Sequence, residues 1–302
     1  MSLFDTLVDS AIRNVPEAAA LRPVVEKELL HHDIIREMSS NGLLQELVFM
    51  GGTCLRTCYG SVRLSGDLDF SATSRTASPA SSSGQSRETR QPGKTDTVPE
   101  LLSELATVVT ETLTRKYDIP VTVTPPHRDE ADVFTWKVRM TTHPERPDLP
   151  SQRIHIDVQT IPSRQSRPAT LKNPYRIDMG TFGLILNAEP LEEILVDKII
   201  AFANRPNRVK NRDIWDITWL HQQAVSVDRE LLIRKLQDRG IDRDSFGASY
   251  RNRADEMVHG YDAFLNEMRR FIPPQTAETT FAQPRYWEYV SQTIRDMART
   301  IR

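Results

Sequence analysis

Phe49-Met50-Gly51-Gly52-Thr53-Cys54-Leu55-Arg56, followed by Arg63-Leu64-Ser65-Gly66-Asp67-Leu68-Asp69-Phe70, is the stretch on which the fold turns. Glu46 to Met50 is a short apolar run of buried-strand type, broken by two glycines. Thr53 to Tyr59 can wind into a helix directly after them. A strand that passes through glycines into a helix leaves backbone N–H groups unpaired at the helix N-terminus, which suits the phosphates of a nucleotide. Glycine also lets the backbone come close to such a ligand. The spacing predicts a second strand over Val62–Phe70, in which Asp67 and Asp69 point to the same face. Two adjacent carboxylates repel each other unless a hard cation lies between them. Mg2+ held by one or two carboxylates plus substrate phosphates fits this pattern. The plainer alternative is a glycine turn followed by solvated acids on an edge strand.

Upstream of this stretch, residues 4–31 read as one helix and 33–41 as a short second one, closed by Asn41-Gly42. Downstream, residues 71–99 are rich in Ser, Thr, Arg, Pro and Gly and read as a flexible insertion. Periodicity predicts a helix over 100–116 and strands over 119–124, 133–142 and 153–161. The last two alternate clearly, as in Phe134/Trp136/Val138/Met140 and Ile154/Ile156/Val158. Residues 162–188 read as irregular. From Pro190 onward helices are expected at 190–204, 211–224, 228–239, 250–271 and 284–301, with Pro273-Pro274 between the last two. The expectation is an α+β chain: a mixed sheet with flanking helices over 1–185, then a C-terminal helical domain over 186–302.

Composition excludes several classes. The 302 residues are ample for a sizeable core without disulfides or metals. No apolar run reaches the roughly 20 residues of a membrane span. Met1 to Val15 lack the basic-then-apolar layout of a secretory signal. Cys54 and Cys58 form no disulfide framework, and without nearby His or further Cys they make no zinc site. His127, His143 and His155 form no spaced set and are assigned to no metal. A cytoplasmic protein with no membrane partner is expected. The formal net charge of −2 hides an uneven pattern. Between Lys137 and Arg176, eight Lys/Arg stand against three Asp/Glu, and Arg205, Arg208, Lys210 and Arg212 form a basic loop. Such segments suit a polyanionic acceptor, because Lys and Arg contacts to phosphates supply affinity. A solvated mixed surface is the alternative. Trp136, Tyr175 and Trp215 either stack on bases or lie in the core.

The two opening motifs resemble the signature of the AbiEii-type nucleotidyltransferase toxins, a branch of the polymerase-beta-like nucleotidyltransferase superfamily. Trp136-Lys137-Val138-Arg139 resembles that family's basic strand, and Ile154-His155-Ile156-Asp157 the strand bearing a third acid. Val196-Asp197-Lys198-Ile199 and Asn211-Arg212-Asp213-Ile214-Trp215-Asp216 resemble its helical Lys and Arg-Asp-x-x-Asp motifs. The match runs from about residue 47 to 222 in the family's order. Residues 71–99 depart from the pattern, and nothing beyond about residue 225 matches a motif. The resemblance implies a nucleotidyltransferase fold and metal-dependent transfer of a nucleoside monophosphate from an NTP to an acceptor, with release of pyrophosphate. It further implies tRNA as the acceptor, a role in phage defence, and a cognate antitoxin protein or regulator as partner. It assigns catalysis to Asp67, Asp69, Asp157, Lys198 and Asp213. Mg2+ or Mn2+ would sit on Asp67, Asp69 and Asp157, and the nucleotide on Gly51, Gly52, Thr53, Ser65 and Lys198.

Each residue also has an ordinary reading. Asp157 alternates with Ile156 and Val158, so it either completes a three-carboxylate site or pairs with Arg153 or Arg139. Lys198 either neutralises charge on a leaving triphosphate or snorkels from the edge of a buried helix. Asp213 and Asp216 share one helix face; Asp213 is ranked first as the partner of Lys198, and Asp216 is left to pair with Arg212. The hydroxyls of Thr53 and Ser65 either hold phosphate or satisfy backbone. A function of a different class is a catalytically silent nucleotide- or RNA-binding regulator on the same fold.

Overall fold

A computed structural model describes residues 2–73, 98–126, 132–146, 148–206 and 209–301. His127 and most of the expected insertion lie outside the described residues. Seven strands form one mixed sheet: β1 (Leu47–Met50), β2 (Leu68–Ala72), β3 (Val121–Thr124), β4 (Val133–Met140), β5 (Gln152–Gln159), β6 (Arg167–Thr170) and β7 (Ile185–Ala188). Their order is β3-β4-β5-β2-β1-β7-β6. β2 runs antiparallel to β1 and parallel to β5, with Met50 opposite Asp69 and Asp69 beside Asp157. This register decides where the chemistry can sit. The chain leaves β1 at Met50, enters α3 (Gly51–Thr57) at once, and does so alongside two carboxylates. In β4 and β5 the even-numbered Trp136, Val138, Ile154, Ile156 and Val158 are buried. The odd-numbered side chains, Asp157 among them, therefore lie on the opposite face.

Helices α1 (Leu3–Asn14), α2 (Arg22–Ser40), α4 (Val98–Leu101) and α5 (Leu105–Tyr117) belong to the first part, with α2 packed on α5 and β5. The remaining helices are α6 (Leu191–Asn204), α7 (Asn211–Gln222), α8 (Arg229–Asp238), α9 (Arg243–Glu256), α10 (Tyr261–Met268), α11 (Pro274–Thr279) and α12 (Pro284–Thr300). α6 packs on α7, α8 and α9, and α12 on α7 and α9. One contiguous apolar core runs through both parts. No described helix is long and apolar enough to cross a membrane.

The α+β architecture is as expected, while several boundaries differ for identifiable reasons. The helix expected over 4–31 is divided by a 3-10 turn over Pro16–Leu21, because Pro16 cannot continue the hydrogen bonding of α1. No break follows residue 31; α2 runs through His31, His32 and Asp33, all buried. That polar run is only partly satisfied inside the protein: His32 Nδ1 meets Thr181 Oγ1 at 2.8 Å and Asp33 takes Lys116 and Tyr117, while His32 Nε2 and both His31 ring nitrogens have no hydrogen-bond partner among the described residues. The strand expected over 62–70 begins only at Leu68, so Asp67 lies in the bend before β2. The preceding backbone is held elsewhere: Ser61 N–H donates to Leu55 O, Leu64 N–H to Phe271 O, and Ser65 N–H to the Glu28 carboxylate. Ser71 and Ala72 belong to β2, and Val98 opens α4, so both ends of the expected insertion are structured. Residues 162–188 contain β6 and β7, each only four residues long; Pro168 is tolerated because β6 is an edge strand. The helix expected over 250–271 is divided into α9 and α10, with Gly260 at the start of the second.

Candidate active site

Asp67, Asp69 and Asp157 line one cavity of about 120 Å³, with Gly52, Arg63, Ser65, Lys198, Lys210 and Asp213 around it. Asp67 accepts the backbone N–H of His155 at 3.1 Å, and His155 Nδ1 lies 3.5 Å from the same oxygen. Asp157 accepts the Thr135 hydroxyl at 2.7 Å and forms no ion pair with Arg139 or Arg153. The Asp69 carboxylate, among the described residues, makes neither hydrogen bond nor ion pair. Burial pushes the Asp69 carboxyl up to about 6; Lys198 opposes the shift, while Asp157 and Asp67 add to it. Burial likewise raises Asp157, with Thr135 opposing and Asp67 adding. Three oxygen-donor groups that repel one another without a bound counter-cation suit a hard divalent ion. Their oxygens are not all within 4.8 Å of one another; among the described residues only Glu189, Glu193 and Asp197 meet that spacing. That second trio already encloses a cation. Lys235 Nζ lies 3.4 Å from Glu189, 2.7 Å from Glu193 and 2.5 Å from Asp197.

The two glycines are required by close approach. Gly51 has φ +73°, and a Cβ there would stand 2.9 Å from Asp69 Cγ. A Cβ on Gly52 would overlap the Arg63 guanidinium and come 3.2 Å from Ser65 Oγ. No side chain caps the first turn of α3. The Thr53 hydroxyl is buried and donates to the Asp67 carbonyl, so it anchors the bend that carries Asp67. Ser65 is held through its N–H by Glu28 at 2.8 Å, and its hydroxyl makes no hydrogen bond among the described residues.

Lys198 Nζ lies 2.9 Å from both Asp213 and Asp216. Burial opposes its charge, yet these two acids hold its pKa above the ordinary lysine value. Asp216 is fully buried and also takes Arg63 in a bidentate pair, both contacts at 2.8 Å. The pairing of Asp216 with Arg212 expected from sequence does not form, because Arg212 turns to Glu267 at 3.5 Å. Asp213 pairs with Arg205 at 3.0 Å and lines the cavity. A second cavity of about 130 Å³, lined by Gly51, Gln159, Glu189 and Asp197, shares Asp69, Lys198 and Asp213 with the first. The site therefore puts repelling acids on the sheet and tethered cations on α6, α7 and the loops beside them.

The family description "Nucleotidyl transferase AbiEii toxin, Type IV TA system" matches residues 33–291. The chain belongs to the AbiEii nucleotidyltransferase toxin family. Membership makes it a nucleotidyltransferase of a toxin–antitoxin system and implies an antitoxin partner. Among solved structures it is similar to JHP933 from Helicobacter pylori, at 16% identity and TM-score 0.42, covering 92% of this chain and 91% of that one. It is also similar to a candidate nucleotidyltransferase from H. pylori, at 17% identity and TM-score 0.46, covering 91% and 98%. None of the curated proteins matches it.

In this AbiEii-family chain the sequence motifs converge more fully than their spacing reveals. Gly51, Gly52, Ser65, Asp67, Asp69, Asp157, Lys198 and Asp213 all line one or both of the adjoining cavities. Thr53 does not. Arg63 was not singled out from sequence, although it opens the quoted Arg-x-Ser motif, and Asp216, which ends the Arg-Asp-x-x-Asp motif, was ranked below Asp213. Trp136, Tyr175 and Trp215 are core residues, so base stacking on them is ruled out. Cys54 and Cys58 are free thiols, both buried.

Proposed function

We propose that this AbiEii-family protein transfers a nucleoside monophosphate from an NTP to a hydroxyl of tRNA, acting in the cytoplasm as a defence toxin restrained by its antitoxin. The observation that carries this reading is Asp69 beside Asp157, unpaired with any cation, directly against the Gly51-Gly52 turn. Asp67, Asp69 and Asp157 would hold a Mg2+ or Mn2+ ion, whose chemistry is to polarise the α-phosphate and acidify the acceptor hydroxyl. The uncapped first turn of α3 and the free Ser65 hydroxyl would grip the β- and γ-phosphates. The acceptor oxygen forms a bond to the α-phosphorus as the bond to the β-phosphate oxygen breaks, and pyrophosphate leaves with that electron pair. Asp157, oriented by the Thr135 hydroxyl, would receive the hydroxyl proton. Lys198, with Asp213 fixing its direction, offsets charge on the departing pyrophosphate. The helices after β7, from Leu191 onward, act in this scheme as the unit that lends Lys198 and Asp213 to the sheet.

The test incubates the purified chain with each α-labelled NTP, Mg2+ and total tRNA. Label moves to tRNA for at least one NTP with the native chain and not with Asp69→Ala. Absence of transfer for all four NTPs, with the variant indistinguishable, would overturn the reading.

A further inference from the structure

Most buried cations of this protein are spent on its own acids, as Lys235 is on Glu189, Glu193 and Asp197, and Arg63 on Asp216. Lys27, Lys137, Arg139 and Arg153 form no ion pair among the described residues. Their placement is ordered. Lys137 stands opposite His155 and Arg139 opposite Arg153 in the antiparallel β4–β5 pair, on the sheet face that also carries Asp157. Like charges directly opposite each other destabilise a sheet, so the Arg139–Arg153 pair costs the free protein stability that an anionic ligand would restore. Along β5, Asp157, His155 and Arg153 succeed one another at steps of about 7 Å, so the basic end lies about 14 Å from the carboxylates. Beside this row is a depression of about 620 Å³ lined by Lys27, Arg139, Arg146 and Arg153, with no acid in its lining. Lys27 closes the gap to the site: its side chain lies against Gly66, and it is an electrostatic neighbour of Asp67.

We propose that this open face of β4 and β5 is the track for the sugar–phosphate backbone of an RNA acceptor, leading its reacting hydroxyl to Asp157. The proposal rests on the transfer reading above and adds the surface on which the acceptor lies. An RNA strand is favoured over an acidic protein because protein partners are held by aromatic or apolar anchors at the centre of the contact. Between the basic side chains this face offers Thr122, Thr124, Thr135 and His155, and its exposed apolar groups are small aliphatic ones, Val133 on β4 and Leu149 in the lining of the depression, not aromatic anchors.

The test measures binding of total tRNA to the full chain by fluorescence anisotropy over a range of salt, in an Asp69→Asn background that cannot turn over. The triple variant Lys137→Ala/Arg139→Ala/Arg153→Ala is compared with a charge-matched triple, Arg234→Ala/Arg243→Ala/Arg285→Ala, on α8, α9 and α12. The track variant loses at least about tenfold in affinity, and its log K against log salt flattens by about 2 to 3, as expected for three lost phosphate contacts. The control triple keeps its salt slope, and NTP binding is the same in both. Because the three residues are exposed, the track variant melts no lower than its parent, which separates lost binding from lost folding. Equal affinity and slope in the two triples would overturn the proposal. So would unchanged tRNA binding with lost binding of polyglutamate, which would assign the face to an acidic protein. Since no turnover is measured, failure of nucleotidyl transfer and failure of the track are read separately.

Discussion

Asp216→Ala is the substitution whose cost can best be worked from the structure. Asp216 is fully buried and holds three contacts: two hydrogen bonds of 2.8 Å to Arg63 and one ion pair of 2.9 Å to Lys198. Its removal leaves Lys198 and Arg205 paired with Asp213, and Arg63 without an ion pair among the described residues. Breaking a buried pair in this way costs about 3–5 kcal/mol, because a charge remains out of water without a partner. At about 2–4 °C per kcal/mol, the melting temperature falls by roughly 10 °C. Urea unfolding of both proteins measures the free energy, and thermal unfolding gives an independent check. Because the Arg63 guanidinium lies against Gly52, the same variant also weakens NTP binding. Arg63→Met/Asp216→Leu should recover a good part of the stability, since both buried charges of the pair are then gone. A loss under about 1 kcal/mol for Asp216→Ala, or no recovery in the double variant, would refute the assignment of Asp216 as the counter-charge of this network.

Three further outcomes follow from other parts of the molecule. Gly51→Ala forces a side chain to a positive φ and into Asp69, so it costs about 1–3 kcal/mol for the backbone alone; urea unfolding shows a smaller cost in an Asp69→Ala background, and equal costs would contradict the contact. Burial lowers the His32 pKa to about 4, and its Nε2 has no partner. The unfolded chain therefore binds a proton below about pH 6.5 that the folded one refuses until about pH 4, so stability is full above that window and falls with pH by about 1.4 kcal/mol per unit within it. Unfolding of His32→Leu across pH 4–7 has a slope shallower by that amount, since His31, lowered by burial to about 3, still contributes its own; an unchanged slope would contradict the assignment. Lys235→Met leaves Glu189, Glu193 and Asp197 without their ammonium and costs about 3–5 kcal/mol. Added Mn2+ raises its melting temperature more than that of the native chain, because Glu189 and Glu193 have then lost their ammonium and Asp197 keeps Arg239 as counter-charge; an equal rise in the two would show that Lys235 is not what fills the trio.

Much of this site was legible because its parts are local. The Gly-Gly turn, Asp69 two residues after Asp67, and Asp213 three before Asp216 are short-range patterns with a physical meaning at fixed spacing. Lys198 was recognisable as a cation out of place in an apolar helix. What could not be read depends on residues far apart in the chain. Ser65 is fixed by Glu28, and Arg63 by Asp216, across separations that no periodicity signals. The backbone before Leu68 is committed to such distant partners, and for that reason Asp67 sits in a bend although local alternation suggested a strand. At His31-His32-Asp33 the expected helix boundary is absent: all three are buried in mid-helix, with distant partners for His32 and Asp33 that local sequence does not signal. Short strands such as β6, with Pro168 and exposed neighbours, leave almost no alternation to detect.

The central claim is that the acids of β2 and β5, with the bend before β2, form the metal and nucleotide centre beside the Gly51-Gly52 turn. Crystals grown with Mn2+ and a non-hydrolysable NTP analogue test it most directly, through the anomalous signal of the ion. The account predicts a peak bridged by Asp67, Asp69 and Asp157, with the phosphates against Gly51, Gly52 and Ser65. A peak among Glu189, Glu193 and Asp197, or phosphates bound away from the glycine turn, would contradict it.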